Sequence, residues 1–95
     1  MKREDALRIL RDHKVELQTK YGVTRLGIFG SVARNEATPA SDLDVVVEMP
    51  PDLFRMVHMK AELEQLFQAS VDLIRYQKHL SAFLKQRLDQ EAIYV

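Results

Sequence analysis

The segment from residue 42 to residue 48 constrains the fold more than any other part of the chain. It reads Asp-Leu-Asp-Val-Val-Val-Glu, a short branched run bounded by carboxylates, and this predicts a β-strand. Side chains alternate between the two faces of a strand, so consecutive valines at 45, 46 and 47 indicate burial on both faces. We therefore expect the middle of this strand to be covered from both sides.

The rest of the chain predicts three helices and two further strands around this segment. The predicted helices cover residues 3–20, 53–69 and 81–90, and the predicted strands cover 24–30, 42–48 and 71–75. A helical turn is expected at 31–34, a loop at 35–41, and an apolar tail at 92–95 that can form a short strand. In the last helix, Phe83, Leu84 and Leu88 are expected to face inward. The order predicts one α/β or α+β domain over residues 1–95.

Length and composition exclude several classes of function. The chain has 95 residues, no cysteine, and 14 basic side chains against 14 acidic ones. The lack of cysteine excludes disulfides, cysteine-based zinc sites and a cysteine nucleophile. Nucleic-acid-binding domains are typically basic, so a net charge of zero disfavours direct contact with nucleic acid. No apolar run is long enough to cross a membrane, and we expect a cytoplasmic protein without membrane contact.

The neutral total conceals an acidic middle, because residues 36–64 carry seven acidic and two basic side chains. Asp42 and Asp44 belong to it, and their spacing places them on the same face of a strand. Two carboxylates about 4 Å apart repel by about 4 kcal/mol at an effective dielectric constant near 20. A divalent cation such as Mg²⁺, which prefers hard oxygen ligands, would offset that repulsion. The alternative is a solvated strand end in which Asp42 caps the turn at Ser41, and the spacing alone favours this alternative.

Gly30 and Ser31 follow directly after the first predicted strand. A glycine at that point allows the backbone to approach a ligand closely, and the amides that follow it can surround phosphate oxygens. The Ser31 hydroxyl adds a hydrogen-bond donor. The alternative is an ordinary turn between a strand and a helix.

Asp72 interrupts the apolar strand 71–75. Burying an unpaired carboxylate is costly, so Asp72 needs either a partner or contact with water. One interpretation is an edge strand with Asp72 facing solvent. The other is a third carboxylate that an adjacent strand brings beside Asp42 and Asp44.

The glycine-serine pair and the aspartates together form a more specific pattern than any of them does alone. Gly30-Ser31, ten residues, then Asp42-x-Asp44 resembles the signature of the nucleotidyltransferase superfamily that includes DNA polymerase beta. The sequences of residues 30–37 and 41–47 are similar to those of its minimal nucleotidyltransferase branch, and the resemblance covers nearly the whole chain. One departure is Asn35, where many relatives have glycine.

The resemblance implies a small mixed sheet with helices packed on one side. It also implies a reaction in which an acceptor hydroxyl attacks the α-phosphate of a nucleoside triphosphate and pyrophosphate leaves. Asp42 and Asp44 would hold two Mg²⁺ ions, and Asp72 would complete the metal site and help to deprotonate the acceptor.

The same resemblance implies that Gly30 and Ser31 bind the β- and γ-phosphates, with Arg34 as a candidate cation nearby. Stand-alone domains of this branch are typically encoded beside a HEPN-domain ribonuclease as the antitoxin of a toxin–antitoxin pair. The implied function is transfer of AMP from ATP to a tyrosine hydroxyl of that toxin. Two alternatives stay open: an antitoxin that masks the toxin by binding alone, and a small-molecule transferase of the aminoglycoside type.

Overall fold

The computed structural model describes the whole chain, from residue 1 to residue 95. Its elements in chain order are α1 (Arg3–Tyr21), β1 (Arg25–Phe29), α2 (Gly30–Ala33), β2 (Leu43–Glu48), α3 (Leu53–Phe67), β3 (Val71–Arg75), α4 (Ala82–Glu91) and β4 (Ile93–Tyr94). Every predicted helix and strand is present, and the apolar tail forms a two-residue strand. The α3 helix ends earlier than predicted because Gln68 adopts a left-handed conformation with φ of 53°.

The four strands form one mixed sheet in the order β3-β2-β1-β4. The β2 strand pairs antiparallel with β1 and parallel with β3, and β4 pairs antiparallel with β1. The predicted strand at 42–48 is therefore a central strand, and Val45, Val46 and Val47 are all fully buried. This confirms the predicted mixed sheet.

The two long helices, α1 and α3, cover one face of the sheet. Leu43, Val45 and Val47 of β2 point to that face and join a core that includes Leu10 of α1 and Leu63 of α3. A fully buried leucine contributes roughly 1.5–3 kcal/mol to folding relative to an exposed one. We call this side of the sheet the helical face.

The opposite side, toward which Phe29, Asp44, Val46 and Asp72 point, we call the carboxylate face. The helix α4 covers part of it, because Leu88 packs with Phe29 and Val46 in a second, smaller core. The predicted arrangement of helices on one side thus describes the two long helices, and the short C-terminal helix lies opposite them. The expectation that Phe83 faces inward is wrong, since it is 72% exposed.

Side-chain caps fix where α3 and α4 begin. The Asp52 carboxylate accepts a hydrogen bond from the Arg55 amide at 3.1 Å, and the Ser81 hydroxyl accepts one from the Leu84 amide at 3.2 Å. Such a cap is typically worth about 1 kcal/mol. No helix of the chain is both long enough and apolar enough to cross a membrane.

Candidate active site

The strand register brings two of the predicted carboxylates together. Asp44 is the second residue of β2 and Asp72 is the second residue of β3, and the two are direct partners in the parallel pairing. Parallel partners point to the same face, and neighbouring strands are about 4.8 Å apart. Asp44 and Asp72 therefore lie side by side on the carboxylate face, at the edge of the sheet where β1 ends and β2 and β3 begin.

The environment of Asp44 disfavours its ionised form. Its side chain is half-buried, and that burial is the main reason why the pKa of Asp44 is raised above its ordinary value. The negative charge of Asp72 raises the pKa further and Asp42 adds a smaller effect, while Arg87 and Arg34 oppose it. A half-buried carboxylate with carboxylate neighbours and a raised pKa is typical of a functional site.

Asp42 and Asp72 are both exposed, and β3 is an edge strand, so Asp72 faces solvent. Of the other two carboxylates, only Asp44 is its strand partner. None of the chain's salt bridges involves Asp42, Asp44 or Asp72. No group of three or more acidic or histidine side chains is gathered closely enough to hold a metal ion.

Gly30 is in direct contact with Asp44. It has a φ of +72°, and a Cβ atom added to it would overlap the Asp44 carboxylate, with Asp44 Cγ only 3.0 Å away. This contact follows from the register, because Asp44 pairs with Phe29, the residue that precedes Gly30. The glycine thus makes room for the catalytic candidate itself. The two halves of the sequence signature touch each other.

Ser31 is half-buried beside Gly30, and Arg34 ends the short α2 helix. The Arg34 guanidinium is bonded to two carboxylates, Glu36 at 3.3 Å and Glu91. These hydrogen bonds, the one that Arg34 donates to Glu91 above all, raise the pKa of Arg34. Arg34 also lowers the pKa of Asp44 slightly, but its own charge is paired with Glu36 and Glu91.

A second arginine near the site was missed at the sequence level. Arg87 of α4 is the charge that most lowers the pKa of Asp44, ahead of Arg34. Its Nε lies 3.1 Å from Glu91 Oε2. An i, i+4 pair such as Arg87 and Glu91 is typical of any exposed helix face, and nothing in the sequence assigns α4 to the carboxylate face.

The carboxylates lie on an open surface. None of the three cavities of the structure is lined by Asp42, Asp44 or Asp72. The two larger cavities are on the outer side of α1 and α3, near Tyr21 and His58. The third lies behind the loop before β2, lined by residues that include Thr38, Ser41 and Leu43. The carboxylates therefore lie outside the cavities of the chain.

Known proteins share this sequence and this fold. The profile of the nucleotidyltransferase domain family matches residues 10–95. Protein adenylyltransferase MntA of Thermococcus cleftensis is 36% identical over 94 residues, which is 97% of this chain and 94% of the relative. A solved structure described as a minimal nucleotidyltransferase is 35% identical, with a TM-score of 0.79 over 98% of this chain and 95% of the other.

A more distant structure shares the fold alone. It contains a tri-AMPylated Shewanella oneidensis HEPN toxin in complex with an MNT antitoxin, and it matches with a TM-score of 0.60 and 19% identity. The match covers 97% of this chain and 66% of that chain. With the family profile and the close relatives, the conclusion is that this chain belongs to the nucleotidyltransferase domain family, in its minimal branch.

Proposed function

We propose that this protein is a protein adenylyltransferase antitoxin that transfers AMP from ATP to a tyrosine hydroxyl of a HEPN-domain toxin and so neutralises it. One observation carries the proposal: Asp44 lies beside Asp72 and against Gly30, so the acidic and glycine halves of the signature form one site. The related adenylyltransferase from Thermococcus and the AMPylated toxin complex from Shewanella support the choice of donor and partner.

Asp42, Asp44 and Asp72 are the residues that would hold two Mg²⁺ ions. The chemistry of the donor set fits, because all three side chains offer hard carboxylate oxygens and none forms a salt bridge within the chain. Asp44 and Asp72 are already strand partners, whereas Asp42 would have to move toward them. Bound Mg²⁺ supplies neutralisation of the negative charge that develops on the attacking and leaving oxygens.

Asp72 also accepts the proton of the acceptor. It is the more exposed member of the Asp44–Asp72 pair and lies on the edge strand, where an incoming hydroxyl can reach it. In the step itself, the hydroxyl oxygen bonds to the α-phosphorus and the bond from that phosphorus to the bridging oxygen breaks. Pyrophosphate leaves, and the hydroxyl proton passes to Asp72. Such a transfer depends on positioning and charge more than on covalent chemistry.

Gly30 and Ser31 bind the β- and γ-phosphates in this proposal. Gly30 has no side chain, so phosphate oxygens can approach the backbone beside Asp44. The Ser31 hydroxyl donates a hydrogen bond to a phosphate oxygen. These two residues would set where the α-phosphate lies relative to the carboxylates.

The open surface favours a protein as the acceptor. A small-molecule acceptor normally enters a cleft that covers most of its surface, and no cavity of the chain includes the carboxylates. A partner protein can supply the missing wall and present its own tyrosine. This argues against the aminoglycoside type of transferase.

The test is transfer of label from α-labelled ATP to the purified HEPN partner. We expect Asp42→Asn and Asp44→Asn to lose at least about 100-fold in rate, because each removes one of the carboxylates that would hold Mg²⁺ and so weakens charge stabilisation at the reacting phosphate. Asp12→Asn is the matched control, since Asp12 is an exposed aspartate of α1 without a salt bridge. Retained labelling by Asp44→Asn would refute the mechanism. If variants that transfer no label still neutralise the toxin fully, the result would support masking by binding instead.

A further inference from the structure

Glu91 connects the segment after the phosphate-binding candidates to the last helix. One of its carboxylate oxygens pairs with Arg34 Nη1 and the other lies 3.1 Å from Arg87 Nε. Burial opposes ionisation of Glu91, but the hydrogen bonds from Arg34 and Arg87 outweigh it and hold the pKa of Glu91 below its ordinary value. A single half-buried carboxylate therefore holds two guanidinium groups next to each other.

The Arg87 guanidinium retains most of its hydrogen-bonding capacity. A guanidinium has five N–H donors, and Arg87 uses only its Nε, toward Glu91. Its two terminal nitrogens bond to no acceptor within the chain, and its side chain is 40% exposed. Arg34 uses both Nε and Nη1 and has fewer donors left. Arg87 is therefore the better-prepared anion ligand of the two.

Arg87 also lies on the correct side of the sheet. Its neighbour Leu88 packs against Phe29 and Val46 on the carboxylate face. Phe29 directly precedes Gly30 and pairs with Asp44. The Glu91 carboxylate joins the Arg87 guanidinium to that of Arg34, the residue at which α2, the helix of Gly30 and Ser31, ends. The open terminal nitrogens of Arg87 therefore lie close to the Arg34 guanidinium, at the end of the short helix that begins with Gly30 and Ser31.

We infer that Arg87 is a phosphate-binding residue of the donor site and that Glu91 is the residue that positions it. This rests on the proposed transfer from ATP. Gly30 and Ser31 carry no charge, so they cannot neutralise a triphosphate, and a guanidinium binds two phosphate oxygens at once. Held by Glu91, Arg87 loses less side-chain freedom when the triphosphate binds.

The experiment measures the affinity for ATP and for tripolyphosphate by calorimetry in the presence of Mg²⁺. We expect Arg87→Gln to weaken both by about tenfold or more, because a charge-assisted hydrogen bond is lost. Arg87→Lys keeps the positive charge but loses the paired N–H donors of the guanidinium. We expect its affinity for both ligands to lie between those of the wild type and Arg87→Gln. The glutamine of Glu91→Gln has one acceptor oxygen and can hold only one of the two arginines. We expect this variant to bind both ATP and tripolyphosphate about threefold more weakly. In transfer assays, the KM for ATP should rise more than kcat falls.

Arg25→Gln is the matched control. Arg25 forms a comparable ion pair with Glu48, Nε to Oε2 at 3.2 Å, at the opposite end of the same sheet. We expect it to alter thermal stability without altering the affinity for ATP. If Arg87 only supported the fold, Arg87→Gln would lower thermal stability and leave the affinity for tripolyphosphate unchanged.

The possible outcomes separate the two proposals. Unchanged ATP affinity in Arg87→Gln, with a wild-type protein that binds ATP and transfers AMP, overturns the role of Arg87 alone. If Arg87→Gln loses affinity for ATP but not for tripolyphosphate, Arg87 contacts the nucleoside, and its role in phosphate binding is overturned. Tighter binding by Glu91→Gln overturns the positioning role of Glu91. A wild-type protein that binds neither ligand overturns the proposed transferase function and this inference together.

Discussion

Replacing Gly30 by alanine separates the backbone requirement at this position from the contact with Asp44. Gly30 has a φ of +72°, and an L-residue with a Cβ pays about 1–2 kcal/mol in that region. For a domain of this size, each kcal/mol lowers the midpoint of thermal unfolding by about 4–8 °C. We therefore expect Gly30→Ala to fold, with a midpoint lower by about 4–16 °C.

The effect on transfer should be far larger than the effect on stability. The added Cβ would overlap the Asp44 carboxylate, so that side chain must rotate away, and its flexible end can do so at little cost in folding. Displacing a reacting group by about 1 Å is able to reduce a rate by about 100-fold. We expect at least that loss in the transfer of AMP from labelled ATP, measured below the unfolding midpoint.

Gly22→Ala is the control for the backbone cost. Gly22 ends α1 with a φ of 71°, and an added Cβ would lie 3.5 Å from the nearest side-chain atom, Arg55 Nη1, in ordinary contact. Both alanine variants should lose similar stability, but only Gly30→Ala should lose transfer. Similar transfer by the two variants would refute the argument that Gly30 makes room for Asp44.

Three further predictions concern stability. Asp44→Asn should raise the free energy of unfolding at pH 7 by about 1 kcal/mol, the repulsion of two charges about 5 Å apart at a water-like dielectric constant. Because the native pKa of Asp44 is raised, the native state binds a proton more readily than the unfolded chain does. The wild-type protein should therefore lose stability as pH rises from about 4 through that raised pKa, whereas Asp44→Asn should lose less, as denaturant titrations at several pH values will show. Gly27→Ala should detach the C-terminal strand, since its Cβ would lie 2.5 Å from the Ile93 carbonyl oxygen, and faster amide exchange of the last residues would report it. Tyr21→Phe removes the 2.8 Å hydrogen bond to Glu62 and should cost about 1 kcal/mol in thermal unfolding without changing transfer.

The central strand and the helix caps could be predicted because their causes are local. Three consecutive valines specify burial on both faces, and Asp52 and Ser81 are residue types that accept hydrogen bonds from the amides of the first helical turn. The pairing of Asp44 with Asp72 was one of two interpretations of Asp72. The β3 strand is an edge strand that leaves Asp72 exposed, and the parallel register pairs Asp72 with Asp44 alone, so the second interpretation is met for one of its two carboxylates.

The face of the sheet that α4 covers could not be predicted. A short helix with Phe83, Leu84 and Leu88 has apolar residues in more than one direction, and periodicity does not say which sheet face receives them. Because that face was unknown, Arg87 could not be placed near Asp44. The contact between Gly30 and Asp44 was also hidden, since it depends on the register between β1 and β2, which are separated by a loop.

The intact mass of the HEPN-domain partner, purified after co-expression with this chain, reports whether AMP is transferred. We expect the partner to gain the mass of one or more adenylyl groups with the wild-type chain and with Asp12→Asn, and to gain none with Asp44→Asn. An unmodified partner beside the wild-type chain, or a modified partner beside Asp44→Asn, would contradict the proposed transfer.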